Sequence, residues 1–295
     1  MQRLSICQKN NQIKIALRNI SLNKIYLITN SPLPITNYQL PITHYQLPIP
    51  HYQLTMQKPT VIVQNLAYAY PNQEPVLHDI SFTLNVGEKV ALMGPTGSGK
   101  STLLENLIGL KQPSLGKIII NDILLEPKSL PEVRRYIGFA FQDANDQLFM
   151  PTILEDVTFG PLNYGVPIAQ ATDRARQLLM DFGLEAYAKR SAHELSGGQR
   201  RLAALASVLA LNPDILILDE PTNGLDPAWR RNLAQVLLNL PVKVILVASH
   251  DLNWLSKVTE RALVLSGGRI HVDSDIQTLL KDSETLENLG LPVGW

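Results

Sequence analysis

The stretch "KVALMGPTGSGKSTLLENLIGL", Lys89 to Leu110, decides the fold. It opens on a short apolar run with the character of a buried strand and closes on a run with helical character. Between them stands Gly94, then four residues, then Gly99-Lys100-Ser101. Glycines let backbone amides turn inward on a phosphate, and the N-terminus of the following helix offers its positive end to the same anion. Gly94, Pro95, Thr96, Gly97, Ser98, Gly99, Lys100, Ser101 and Thr102 are therefore the candidate nucleotide-holding loop. Lys100 would reach the β- and γ-phosphates, and Ser101 would ligate Mg²⁺. A glycine loop that binds nothing is the competing reading, and the strand before it and helix after it weigh against that.

Working outward, "TVIVQNL" and "ISFTLNV" alternate apolar and polar residues as half-buried strands do, with turn chemistry in "YPNQEP" between them. "GKIIINDILL" and "RYIGFAF" read as two further strands. The chain turns helical from about Asp143 to Ala192, and "RLAALASVLAL" reads as another helix, ended by "NPD". Two apolar strands, "ILILDE" and "VKVILVASH", flank the helix "PAWRRNLAQVLLNL", and "RALVLSGGRIHV" reads as a hairpin turning at Gly267-Gly268. Strands alternating with helices imply a parallel sheet with helices on both faces. "ILILDE" places Asp219 and Glu220 at the C-terminal end of a buried strand, where such sheets keep their ligands. Asp219 can hold Mg²⁺ through water, and Glu220 can polarise an attacking water. An acidic pair ending a strand is often only a helix cap, but beside a phosphate loop the catalytic reading is the stronger one.

The 26 basic and 26 acidic residues balance overall but not locally. Residues 1–55 carry five basic residues and no Asp or Glu, which leaves 21 basic against 26 acidic in the rest. A mildly acidic body is a poor electrostatic footprint for nucleic acid, and no nucleic-acid partner is expected. Cys7 is the sole cysteine, so an intrachain disulfide and a cysteine metal site are both excluded. No run approaches the ~18 uninterrupted apolar residues of a membrane span. Residues 35–54, "ITNYQLPITHYQLPIPHYQL", form a heptad repeat interrupted by proline, which rules out a continuous helix and points to an extended, disordered arm. Residues 1–55 are accordingly read as a disordered extension, either a targeting or docking arm or a segment lying ahead of a natural start at Met56. Residues 56–295 are read as the folded body.

"LSGGQ", Leu195 to Gln199, taken with the glycine loop, the acidic pair and His250, resembles the nucleotide-binding subunit of ATP-binding cassette (ABC) transporters over about residues 60–270. The resemblance implies an α/β P-loop NTPase (RecA-like) parallel sheet core, an antiparallel β subdomain, a helical subdomain over about 143–210 and a short C-terminal extension over about 272–295. It implies ATP and Mg²⁺ as cofactors and ATP hydrolysis as the reaction. Ser196, Gly197, Gly198 and Gln199 would close over a nucleotide held by a second ATPase subunit. Tyr70 matches the aromatic that stacks on adenine, with Tyr68 the weaker candidate. Gln142 matches a Mg²⁺ ligand that links the site to the helical subdomain. Asp226 matches a loop that communicates across the dimer, and Asn223-Gly224 stand there where the family more often has Ser-Ala. His250 matches the γ-phosphate sensor.

The segment "FQDANDQLFMPTILEDVTFGPLNYGV", and the tail "LENLGLPVGW", resemble the ATPase component of energy-coupling factor importers, especially the cobalt and nickel type. That resemblance implies a peripheral position on the cytoplasmic face of the membrane, a transmembrane subunit, a separate substrate-capture membrane protein, and a transition-metal or vitamin cargo. Phe149, Leu154 and Phe159 would serve the groove for the transmembrane subunit, or merely pack the helical subdomain. An ATPase of another ABC transporter class, or one acting away from transport, remains the alternative, as does a homodimer against a heterodimer.

Overall fold

The computed structural model describes residues 59–291, together with the backbone of β1 (Ile6–Lys9) and β2 (Gln12–Ile15). The latter two pair antiparallel as a unit of their own, and the heptad repeat lies outside the described residues.

In the body, β5 (Lys89–Met93), β9 (Ile215–Asp219) and β10 (Val244–Ala248) are short, almost continuously apolar and almost wholly buried. Strands of that kind need cover on both faces, which is the situation of a parallel sheet. They lie in a six-stranded sheet ordered β12-β11-β5-β10-β9-β8, with β8 at Ile137–Ala140, β11 at Arg261–Ser266 and β12 at Arg269–Asp275. All neighbours run parallel except β12, an edge strand antiparallel to β11. Its residues alternate exposed and half-buried, as suits a one-sided edge. The β11–β12 turn falls at Gly267 and Gly268, both at positive φ, as the sequence predicts.

Alternate residues of each central strand feed two separate cores. Ala91, Met93, Leu216, Leu218, Ile245 and Val247 face a layer that includes α3 (Ile153–Asn163), α4 (Ile168–Asp181), α5 (Gly197–Leu209), α6 (Pro227–Asn239) and α7 (Leu252–Val258). Val90, Leu92, Ile215, Ile217, Val244 and Leu246 face α1 (Lys100–Leu107) and the antiparallel sheet β4-β3-β6-β7. The second face is therefore closed by one helix and a second sheet rather than by helices alone. In that sheet β3 spans Pro59–Ala69, β4 Pro75–Asn85, β6 Leu115–Ile120 and β7 Ile123–Leu124. "GKIIINDILL", expected as one strand, is thus a hairpin. Asn121 and Asp122 take positive φ (45° and 69°), which bends the chain in two residues. A short helix α2 (Leu130–Val133) precedes β8, and α8 (Ile276–Leu279) and α9 (Ser283–Asn288) follow β12.

Candidate functional site

Sheet order builds the site. The C-terminal ends of β5, β10, β9 and β8 lie side by side, and Ala248 is level with both Leu92 and Asp219. The 94–101 loop, Ser249-His250, Asp219-Glu220 and Phe141-Gln142 therefore emerge from one edge of one sheet.

At Gly94 a β-carbon would run into the Leu265 carbonyl oxygen and lie 2.7 Å from Ser98 Oγ, so only glycine fits. Gly99 stands at φ +103° immediately before α1, a conformation in which any side chain is strained. Lys100 is buried, and its ammonium donates to the carbonyls of Gly94 (2.7 Å) and Pro95 (3.0 Å). Burial pushes its pKa down, while Glu220 and Asp219 pull it back up. Ser98 Oγ is buried without a hydrogen-bond partner, and Thr102 Oγ1 lies 3.1 Å from the Tyr70 hydroxyl. Thr96 and Gly97 are exposed at the loop's tip.

Asp219 is buried, and burial raises its carboxyl pKa against the lowering effect of a hydrogen bond from Ser101. Its Oδ1 has no hydrogen-bond partner. An orphaned buried carboxylate oxygen beside a serine hydroxyl is an oxygen-only donor set, the chemistry that suits a hard divalent cation such as Mg²⁺. Glu220 holds φ +45°, unusual for a residue with a side chain, with its N–H donating to the Ala248 carbonyl (2.8 Å). Such backbone strain persists where surrounding contacts over-determine it. Glu220 Oε2 accepts from Ser249 Oγ (3.1 Å) and faces His250 Nδ1 at 2.9 Å, while the rest of the imidazole is largely exposed. Ser249 escapes the sequence reading; only its place beside His250 could have drawn notice.

Other candidates sit farther out. Tyr70 is half-buried, with Lys111 Nζ 5.2 Å from its ring centroid and Tyr68 edge-on at 5.1 Å. Tyr68 itself belongs to the core, which leaves Tyr70 the accessible ring of the two. The Gln142 side chain is exposed; its carbonyl, not its amide, is engaged, by Arg201. Ser196 caps α5 in a reciprocal box with Gln199, and Gly197 is open to solvent. Gly198 lies under the Trp229 indole. The Asp226 carboxylate accepts from the amides of Ala228 and Trp229, capping α6. The cleft that Gly197 lines is walled by residues 143–145, 200–201 and 223–225, with no residue of the 94–102 loop.

Beyond Gln142, Phe149 is largely exposed and meets Phe159 edge-on at 4.9 Å. Ile168 and Met180 add further exposed apolar surface in the same helical layer. Buried Asp156 supports this face: its Oδ1 accepts from the amides of Phe149 and Met150 (2.9 Å each). Its Oδ2 has no partner, and burial raises its pKa above the ordinary 3.8. The folded chain therefore holds this proton more tightly than the unfolded chain does. The associated stability is full below the ordinary value and is lost as pH rises through the raised one. Asp156→Asn keeps an acceptor and removes the charge. The difference in thermal midpoint, variant minus parent, should rise from about pH 4 toward neutrality. A difference flat with pH, read by calorimetry, would remove Asp156 as its source.

Among the described residues no helix is long and apolar enough to cross a membrane. The ABC transporter family model matches residues 77–223. A Streptomyces coelicolor protein, named provisionally as an ABC transporter ATP-binding protein, is 43% identical over 238 residues, 79% of this chain and 90% of that one. The energy-coupling factor transporter ATP-binding protein EcfA of Methanothermobacter thermautotrophicus is 36% identical, over 78% of this chain and 75% of its own. The solved structure of CbiO1 from Clostridium perfringens, part of the ABC transporter complex CbiONQ, superposes with a TM-score of 0.69 at 31% identity, covering 79% of this chain and 95% of that one. A dimeric ATP-binding cassette in a post-hydrolysis state with ADP and Pi gives a TM-score of 0.66 at 32% identity, covering 73% and 98%.

Proposed function

The chain belongs to the ABC transporter family of ATP-hydrolysing transport subunits, and from that premise we propose that it powers an energy-coupling factor importer. Its cargo is a transition-metal ion such as cobalt or nickel, or a vitamin, carried by membrane partners.

The observation that carries the chemistry is the convergence of Lys100, Ser101, Asp219, Glu220 and His250 on one sheet edge. The loop amides and Lys100 bind and orient the triphosphate, which requires the Lys100 ammonium to leave the Gly94 and Pro95 carbonyls for phosphate oxygens. Ser101 and Asp219, with Gln142 after its side chain swings in, would hold Mg²⁺, which when bound neutralises phosphate charge. Glu220 takes a proton from the attacking water, and Ser249 fixes the orientation of its carboxylate. His250 senses the γ-phosphate from the exposed side of Glu220. The Ser196–Gln199 turn of a second subunit completes the cage. Tyr70 stacks on the adenine, and the capped Asp226 turn lies at the dimer seam.

The importer assignment is supported by similarity to EcfA and to CbiO1, and by the exposed Phe149–Phe159 face, which suits an apolar helix of a transmembrane partner. The complex would hold the chain at the cytoplasmic face of the membrane. The test is to purify the affinity-tagged chain from gently solubilised membranes of its native cell. One compact transmembrane subunit with a separate small capture protein is the expected company. Two large permease halves, or only partners without membrane spans, would overturn the importer reading and leave the ATPase chemistry standing.

A further inference from the structure

We propose that Arg201 is a positioning residue that locks the Gln142 loop, the loop after Glu220 and the Ser196–Gln199 turn into one mechanical unit; the proposal rests on the ATPase reading above. Arg201 stands one turn into α5. Its Nη1 donates to the carbonyls of Phe141 (3.2 Å) and Gln142 (2.6 Å), and its Nη2 donates to the carbonyl of Asn223 (3.2 Å). Phe141 and Gln142 leave β8, whereas Asn223 follows Glu220 by three residues. A planar guanidinium can serve both loops at once, while an ammonium on a flexible stem is a point charge without that fixed fork.

A second, independent link joins the same parts. Trp229, in the first turn of α6, lies so close over Gly198 that a β-carbon there would stand 2.5–2.7 Å from indole carbons. The turn that would face a second subunit is thus held by a polar clamp on one side and an aromatic plate on the other. A displacement of Gln142 on nucleotide binding must move the Arg201 fork, and with it the start of α5. Occupancy of one subunit's own site is in this way passed to the turn it lends to its neighbour.

The experiment compares the assembled ATPase in four forms: parent, Arg201→Lys, Gln142→Ala and the double variant. Arg201→Lys should lower kcat about 10-fold and leave the KM for ATP within about two-fold. In the Gln142→Ala background its further effect should shrink below about two-fold, because the two residues act as one unit. Full multiplication of the two effects, or an unchanged kcat in Arg201→Lys, would overturn the proposal. A parent without ATP turnover would instead sink the ATPase reading. Native-state hydrogen exchange of the unmodified chain decides the coupling without any variant. Amides of 141–145, 197–201 and 223–229 should open with a common free energy and a common urea dependence. Separate openings would overturn it.

Discussion

Glu220→Gln should lower ATP turnover by about 10²–10⁴-fold while ATP binding persists. Glutamine keeps the size of the side chain and can still accept from Ser249 Oγ, so the packed geometry around Ala248 and Ser249 is retained. What it loses is the capacity to take a proton from water. The nucleotide then stays intact and the two subunits remain closed on it, so ATP with Mg²⁺ should shift the purified variant to a stable dimer. Turnover is read by phosphate release and assembly by size-exclusion chromatography with light scattering. Parental turnover in the variant would remove Glu220 from the role of base. A variant that neither binds ATP nor dimerises would show instead that its carboxylate serves the fold.

Lys100→Met should weaken ATP binding by about 10²–10⁴-fold. The loss corresponds to two charge-assisted hydrogen bonds at ~1.5–3 kcal/mol each. The fold is expected to tolerate it. Methionine keeps the length of the stem, and the lost bonds to the Gly94 and Pro95 carbonyls are offset by relief from burying a charge, the same desolvation that pushes the Lys100 pKa down. The thermal midpoint without nucleotide should therefore stay within about 5 °C of the parent. Binding is read by calorimetry with ATP and Mg²⁺. Parental affinity would show that the ammonium stays on its two carbonyls and never turns to phosphate.

Local signals in the chain carried the strands, the glycine loop and the acidic pair, because each depends on backbone conformation or burial pattern over a few residues. Ile215–Leu218 and Val90–Met93 are apolar throughout and lie buried on both faces. The hairpin at Gly267-Gly268 was legible for the same reason. The turn at Asn121-Asp122 was not, because the apolar run on either side of it reads as one strand unless the two-residue turn is recognised. Gln142 was legible as a position, but its engaged atom was not: the backbone carbonyl meets Arg201 while the side chain faces solvent.

By itself, then, the sequence determined the family, the phosphate loop, the acidic pair and, with Cys7 the sole cysteine, the exclusion of an intrachain disulfide. These follow from residue identity at short spacing, which holds wherever the surrounding chain is placed. Only the tertiary structure decided that Ser249 braces Glu220, that Arg201 joins Phe141, Gln142 and Asn223, that Trp229 covers Gly198, and that Asp156 supports Phe149 from below. Those contacts join residues 7 to 60 positions apart in the chain. All but the Asp156–Phe149 contact depend on the order β5-β10-β9-β8 and on how α5 and α6 lie against that edge, and lateral order in a parallel sheet is set by packing and crossover geometry rather than by any local signal.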